Sequence, residues 1–238
     1  MESTLQLAMK LDPREVNHHL STVFWQMEVT KFLHSCELEQ RHVMDLIPGL
    51  LQPLQSSGIF GTKLSSCSVP TLFGSNIERM QLAVLVMVCG KTVDEGFGLA
   101  FRIIKDYHLK ASQIYSLAGK KLVCDGRFAD IEQLIFCIQS SGLSETSSVC
   151  DDVLVQCVHT LAEKRDSTDM EPLIKLIVDP GRKISAYIKC RQLKSAYLLA
   201  VKYSRLDDVR KILHEAQKLG QTKMQQICLK RLGQQVET

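Results

Sequence analysis

The chain has 238 residues, 45% of them hydrophobic and 23% charged, and a formal net charge of +3; this is the balance of a globular protein and excludes disordered and collagen-like classes. Aromatic residues make up only 6%, with a single tryptophan, Trp25, so the core must come from Leu, Ile, Val, Ala and Met, which suit helix-on-helix packing. The start, MESTLQLAMK, lacks the basic segment and small-residue cleavage site of an export signal, and the longest apolar run, Met80 to Cys89, is about half of the roughly 20 residues a membrane-crossing helix needs.

Helix-start signals recur along the chain. Asp12-Pro13-Arg14-Glu15 supplies a side-chain acceptor, a proline at the first helical position and a glutamate three residues after the cap. It opens an apolar pattern through Val16, Leu20, Val23, Phe24, Met27 and Leu33. His18-His19 lies within that pattern and reads as a pair of surface or core histidines rather than metal ligands. Leu5, Leu7, Leu11, Val16 and Leu20 are expected to form an apolar surface for preceding repeats or a partner. Residues 56–74 are rich in Ser and Gly but carry Ile59, Phe60, Leu64, Val69, Leu72 and Phe73, which predicts an ordered loop folding back onto helices rather than a free linker. The expected organisation is an N-terminal helical group over 1–55, this loop over 56–74, and a C-terminal helical-hairpin solenoid over 75–238.

The next stretch, GKTVDEGFGLAFRII from Gly90, has glycines that raise the question of a phosphate loop. Such a loop needs a preceding strand and a following helix N-terminus. Here Thr92 and Glu95 start the helix before Gly96, and Val93, Phe97, Ala100, Phe101 and Ile104 continue at helical spacing through both glycines. Glycine inside a helix costs about 1 kcal/mol relative to alanine, and close packing is the expected reason for it, with Gly96, Gly98 and Ala100 forming a small surface for a neighbouring helix.

Further capping boxes are predicted at Ser75/Glu78, Thr92/Glu95, Thr168/Glu171, Ser204/Asp207 and Thr222/Gln225, with glycine stops at Gly90, Gly126, Gly142 and Gly220. The short turns between them imply antiparallel neighbours. The predicted fold is all-α, an irregular α-solenoid of stacked antiparallel helical hairpins. Residues 192–203 are apolar nearly all round and are expected to be buried between layers.

Charge is unevenly placed. Between Arg182 and Arg231 there are 13 Lys/Arg against three acids, which suggests an acidic partner, an anionic membrane surface or nucleic acid, beside the plainer reading of a solvated basic face on a helical end. Arg182, Lys183, Lys189, Arg191, Lys194, Arg205, Arg210 and Lys211 are the candidate contact residues. Nucleic acid is the alternative ligand for the same segment, weakened by sparse aromatic interleaving at Tyr187, Tyr197 and Tyr203.

No G-x-S-x-G elbow, H-E-x-x-H helix or H-R-D loop occurs. The paired carboxylates Asp94-Glu95 and Asp151-Asp152 read as helix N-terminal acids. Nine cysteines are scattered with no C-x-x-C pair, which fits reduced, buried thiols. No catalytic, metal-binding or cofactor-binding residues are assigned, and no enzyme activity is expected.

The strings VPTLFGSN, GKTVDEGFGLAFRIIKDY and LKSAYLLAVK, with REVNHHLSTVFWQMEVTKFL before them and QQICLKRL after, closely resemble the C-terminal region of the spastizin family of FYVE zinc-finger proteins. The resemblance implies a non-catalytic scaffold in endosome–lysosome trafficking, autophagic lysosome reformation and abscission in cytokinesis. It also implies spatacsin and the fifth adaptor-protein complex as partners. The implied location is cytoplasmic and peripheral to late endosomes and lysosomes, with the centrosome or midbody as a further site. The family's FYVE finger needs C-x-x-C pairs and a basic histidine strand that this sequence lacks, so no phosphoinositide or zinc residues carry over.

Overall fold

The computed structural model describes residues 13–38, 70–142, 146–164 and 170–233. Among them the secondary structure is helical: α1 (Pro13–Leu38), α2 (Asn76–Cys89), α3 (Val93–Asp106), α4 (Ala111–Cys124), α5 (Phe128–Ser140), α6 (Thr146–Lys164), α7 (Glu171–Leu176), α8 (Pro180–Lys189), α9 (Leu193–Lys202), α10 (Leu206–Lys218) and α11 (Thr222–Leu232). The chain forms two compact units, Met1–Lys121 and Leu122–Thr238, with the boundary inside α4. Most of the expected 56–74 loop lies outside the described residues, as do Leu5, Leu7, Leu11, Asp12 and Thr168.

The first unit is built around α2. Nine consecutive residues, Gln81 to Cys89, are buried, so this helix is surrounded rather than amphipathic. It packs on α1 and α3. Phe97 of α3 stacks on Tyr115 of α4, ring centroids 5.7 Å apart. The side chain of Gln26 in α1 accepts the Leu72 N–H at 2.8 Å, and Tyr107 donates its hydroxyl to Thr22 Oγ1 at 2.8 Å. These two bonds fix α1 against the elements that follow it. Val16 is half-buried and Leu20 exposed, while Val29, Leu33 and Cys36 face the core.

Gly96 allows α2 and α3 to approach closely. A Cβ there would lie 1.9 Å from the Val86 carbonyl oxygen, so the backbones meet where a side chain would otherwise stand. Ala100 and Ile103, on the same face, are fully buried and nearly so. Gly98 departs from the expectation. It faces outward, and a Cβ added there meets nothing within 4 Å, because two residues along a helix lie about 200° apart and cannot share a packing face.

In the second unit, α6 packs on α5, α7 and α8, and the hairpins α8–α9 and α10–α11 follow with α9 against α10. This is the all-α, solenoid-type stacking that the sequence predicts. One turn recurs. The N–H groups of Arg127, Gln192, Arg205 and Gln221 each donate to a carbonyl five residues earlier at 2.9 Å, and Leu109 does the same in the first unit. The residue before each donor is left-handed: His108 (φ 50), Gly126 (φ 71), Arg191 (φ 61), Ser204 (φ 54) and Gly220 (φ 66). This is the Schellman closure of a helix C-terminus, which satisfies otherwise orphaned carbonyls and reverses the chain within three residues.

Several predicted caps are replaced by this geometry. Ser75 and Glu78 form the full capping box. Thr92 is at the cap position of α3 without a side-chain cap bond, and Glu95 instead accepts the Lys91 N–H at 2.8 Å. Ser204 is the left-handed turn residue, leaving Arg205 at the cap position of α10; likewise Gln221, not Thr222, stands at the cap position of α11, and neither makes a side-chain cap bond. Gly90 ends α2 in an extended conformation.

Two pairs of substitutions test these assignments. Gly96→Ala is expected to destabilise the chain by about 1–3 kcal/mol through overpacking, whereas Gly98→Ala stabilises by about 1 kcal/mol through helix propensity. Ser204→Gly is expected to stabilise by about 1 kcal/mol and Gly220→Ala to destabilise by a similar amount, since a Cβ in the left-handed region costs about 1–2 kcal/mol. Urea unfolding of the four variants reads both signs.

Candidate protein-interaction surface

The α7–α8 connection is held in place by buried charge. Asp151 of α6 is 2% exposed, and its two carboxylate oxygens accept the N–H groups of Val178 and Asp179, each at 2.8 Å. Asp179 then caps α8 by accepting the Arg182 N–H at 2.7 Å, with Pro180 next in the chain. The Arg182 guanidinium reaches back to the Ser148 carbonyl at 2.7 Å and to Asp152 at 3.0 Å. Asp151 and Asp152 therefore do not stand at a helix N-terminus, as the sequence suggested; α6 begins at Thr146, and Asp151 serves the next connection across the fold.

A consequence of this clamp is that Val178 of the connection points outward while Ile177 beside it is buried. Val178 is 66% exposed. Across from it, α9 buries Leu193, Ala196 and Ala200 but leaves Leu198 61% exposed, correcting the expectation that this helix is buried on all sides. A cleft of about 430 Å³ lies here, lined by Lys175, Val178, Pro180, Lys183, Tyr187, Ser195, Leu198, Leu199, Lys202 and Tyr203. Tyr187 is the buried wall: its hydroxyl donates to Glu171 at 3.0 Å, and burial followed by that hydrogen bond pushes its pKa up to about 12. The ring therefore stays neutral at physiological pH. Lys183 donates from Nζ to the Lys175 carbonyl at 2.9 Å, and Lys202 Nζ lies 5.6 Å from the Tyr203 ring centroid.

The eight basic candidates are distributed over different settings. Arg182 belongs to the clamp. Arg205 pairs with Asp208, Lys211 binds the same carboxylate at 2.8 Å, and Arg210 pairs with Asp207. Asp208 is 3% exposed; burial opposes its ionisation, but the bonds from Lys211 and Arg205 outweigh it and hold its pKa below the ordinary value. Arg191 occupies a left-handed turn. Lys189 is exposed, and its charge adds to burial in lowering the His159 pKa. Lys194 is exposed on α9. Of the eight, Lys183 alone lines the cleft, joined there by Lys175 and Lys202, which sequence reading did not single out. The spacing of Lys202 four residues after Leu198 placed both on one helical face, and that pattern was the available clue.

Gly96, the centre of the possible phosphate loop, is filled from the α2 side by the Val86 backbone and presents no cradle. Among the described residues, no group of three His, Cys, Asp or Glu is placed to hold a metal ion, and no helix is long and apolar enough to cross a membrane.

A family model described as ZFYVE26-like, TPR repeats matches residues 110–233. Zinc finger FYVE domain-containing protein 26 of Bos taurus is 36% identical over 222 residues, which is 92% of this chain and 8% of that protein. The Homo sapiens protein of the same name is 34% identical over the same shares, and a Dictyostelium discoideum protein is 24% identical over 91% of this chain and 8% of its own length. The chain thus spans about 8% of the length of these relatives. No solved structure matches it.

Removing the buried clamp tests the positioning argument. Asp151→Ala is expected to cost about 2–4 kcal/mol, because two N–H groups lose a charged acceptor. Hydrogen exchange at Val178 and Asp179 should rise more than at the α6 interior, measured by NMR.

Proposed function

This chain belongs to the ZFYVE26-like family of TPR-repeat proteins, and from that premise we propose that it is a non-catalytic helical scaffold whose working surfaces are helix faces. The observation that carries this reading is the cleft on α7–α9, where exposed apolar side chains sit among lysines while the buried Asp151 carboxylate nearby is engaged in holding the backbone. A site for chemistry would instead gather polar groups around a point where a reacting atom could sit.

In the setting that the family resemblance implies, the scaffold acts in endosome–lysosome trafficking, in autophagic lysosome reformation and in abscission. It associates from the cytoplasm with late endosomes and lysosomes, and with the centrosome or midbody. Its partners are spatacsin and the fifth adaptor-protein complex. The basic surface supports contact with acidic protein surfaces, which electrostatics would speed at encounter more than tighten at equilibrium.

Affinity capture of the tagged chain from cells, with immunoblotting for spatacsin and the adaptor subunits, tests this reading. Co-enrichment of either over a scrambled-surface control is expected. Recovery of neither, from cells in which the full-length relative captures both, would remove the trafficking assignment.

A further inference from the structure

We propose that the α7–α9 cleft is a docking site for a short acidic segment of a partner protein, whose apolar side chains seat against Val178 and Leu198 while its carboxylates meet Lys175, Lys183 and Lys202. The proposal deepens the interaction-module reading and rests on it. Among the described residues, three lysines and no acidic residue line the cleft, so the charge they offer is of one sign.

The nearby carboxylates are already engaged. Glu171 accepts the Tyr187 hydroxyl at 3.0 Å and lies 3.9 Å from Lys175. Asp151 and Asp179 accept backbone N–H groups. Lys183 is anchored by its bond to the Lys175 carbonyl, which reduces the side-chain entropy lost when a carboxylate binds it.

The apolar part of the cleft points to a peptide. Leu198 and Val178 are 61% and 66% exposed, and Val178 is held there by the bond to Asp151, so the apolar edges are preformed before any ligand arrives. A volume of about 430 Å³ is enough for a few side chains. Val178 and Leu198 offer a lipid bilayer only a small apolar area, and interfacial binding strength scales with the apolar area buried. Single-stranded nucleic acid needs successive exposed aromatic platforms; here Tyr187 is buried at 7% and Tyr203 is the exposed ring of the cleft. The remaining match is a linear segment with apolar anchors between acidic residues, the chemistry that one-sided basic grooves select.

In such an interface the buried apolar anchor dominates affinity, and the rim charges govern salt dependence. The experiment selects a random-peptide display library on the immobilised full chain, then measures synthetic copies of the enriched peptides by fluorescence anisotropy. It compares wild type, Leu198→Asp, the double variant Lys183→Glu/Lys202→Glu, and the control Lys223→Glu/Lys230→Glu, two exposed α11 lysines that do not line the cleft. Circular dichroism confirms that each variant is folded.

Enrichment of acidic–apolar peptides is expected, with binding weakened about tenfold or more for either cleft variant and unchanged for the control. Peptides that bind wild type and cleft variants equally would overturn the cleft assignment and leave the interaction-module reading standing. Failure to enrich acidic peptides would also overturn it. So would cleft-dependent binding of phosphatidylserine vesicles or single-stranded RNA in place of peptide.

Discussion

The left-handed helix closure that recurs at five of the connections is the constraint on which much of the structure depends. A helix ends with several carbonyls lacking partners, and the chain must reverse within a few residues if the next helix is to lie alongside. The bond from Leu109, Arg127, Gln192, Arg205 or Gln221 back to a carbonyl five residues earlier meets both requirements. Because the geometry repeats, the helices on either side of these five turns are brought together in the same local manner, while α2–α3 and α7–α8 are joined through extended backbone. Side chains of ordinary size then suffice to fill the layers, and the sequence can do without a strict repeat consensus.

A second constraint concerns buried polar groups. Asp151 and Asp208 are almost fully covered, and a buried carboxylate without partners would be too costly to keep. Both are surrounded by donors, Asp151 by two backbone N–H groups and Asp208 by Arg205 and Lys211. Their role is positional. By holding the α7–α8 connection and the start of α10, they determine which apolar and basic side chains are turned outward on the neighbouring surface. The step from packing to function therefore runs through backbone placement.

The helical class, the turn positions and the role of Gly96 were legible in the sequence because they depend on local chemistry: apolar period, short polar breaks and a small residue on an apolar face. The turns at Arg191 and Ser204 show where local rules weaken. Neither residue is a usual left-handed former, and Ser204 followed by Asp207 reads as a cap; the surrounding helices impose the turn conformation instead. Gly98 differs from the expectation because residues two apart on a helix face opposite ways, however close they stand in sequence. The cleft was harder to see. It is assembled from a connection, two lysines outside the basic candidates and a leucine on a helix that is apolar on most sides, and its clamp, Asp151, comes from a helix 27 residues earlier in the chain than the Val178 N–H it holds. One clue was present, since Asp151 stands at helical spacing from buried Leu154 and Val158, where an acid must have a tertiary partner.

Residue-resolved amide exchange in the free chain addresses the turn rule most directly. The account predicts that Leu109, Arg127, Gln192, Arg205 and Gln221 exchange as slowly as amides within the helices they close, although each lies in a connection. Exchange of these five at the rate of an open loop, with the helices themselves protected, would contradict it.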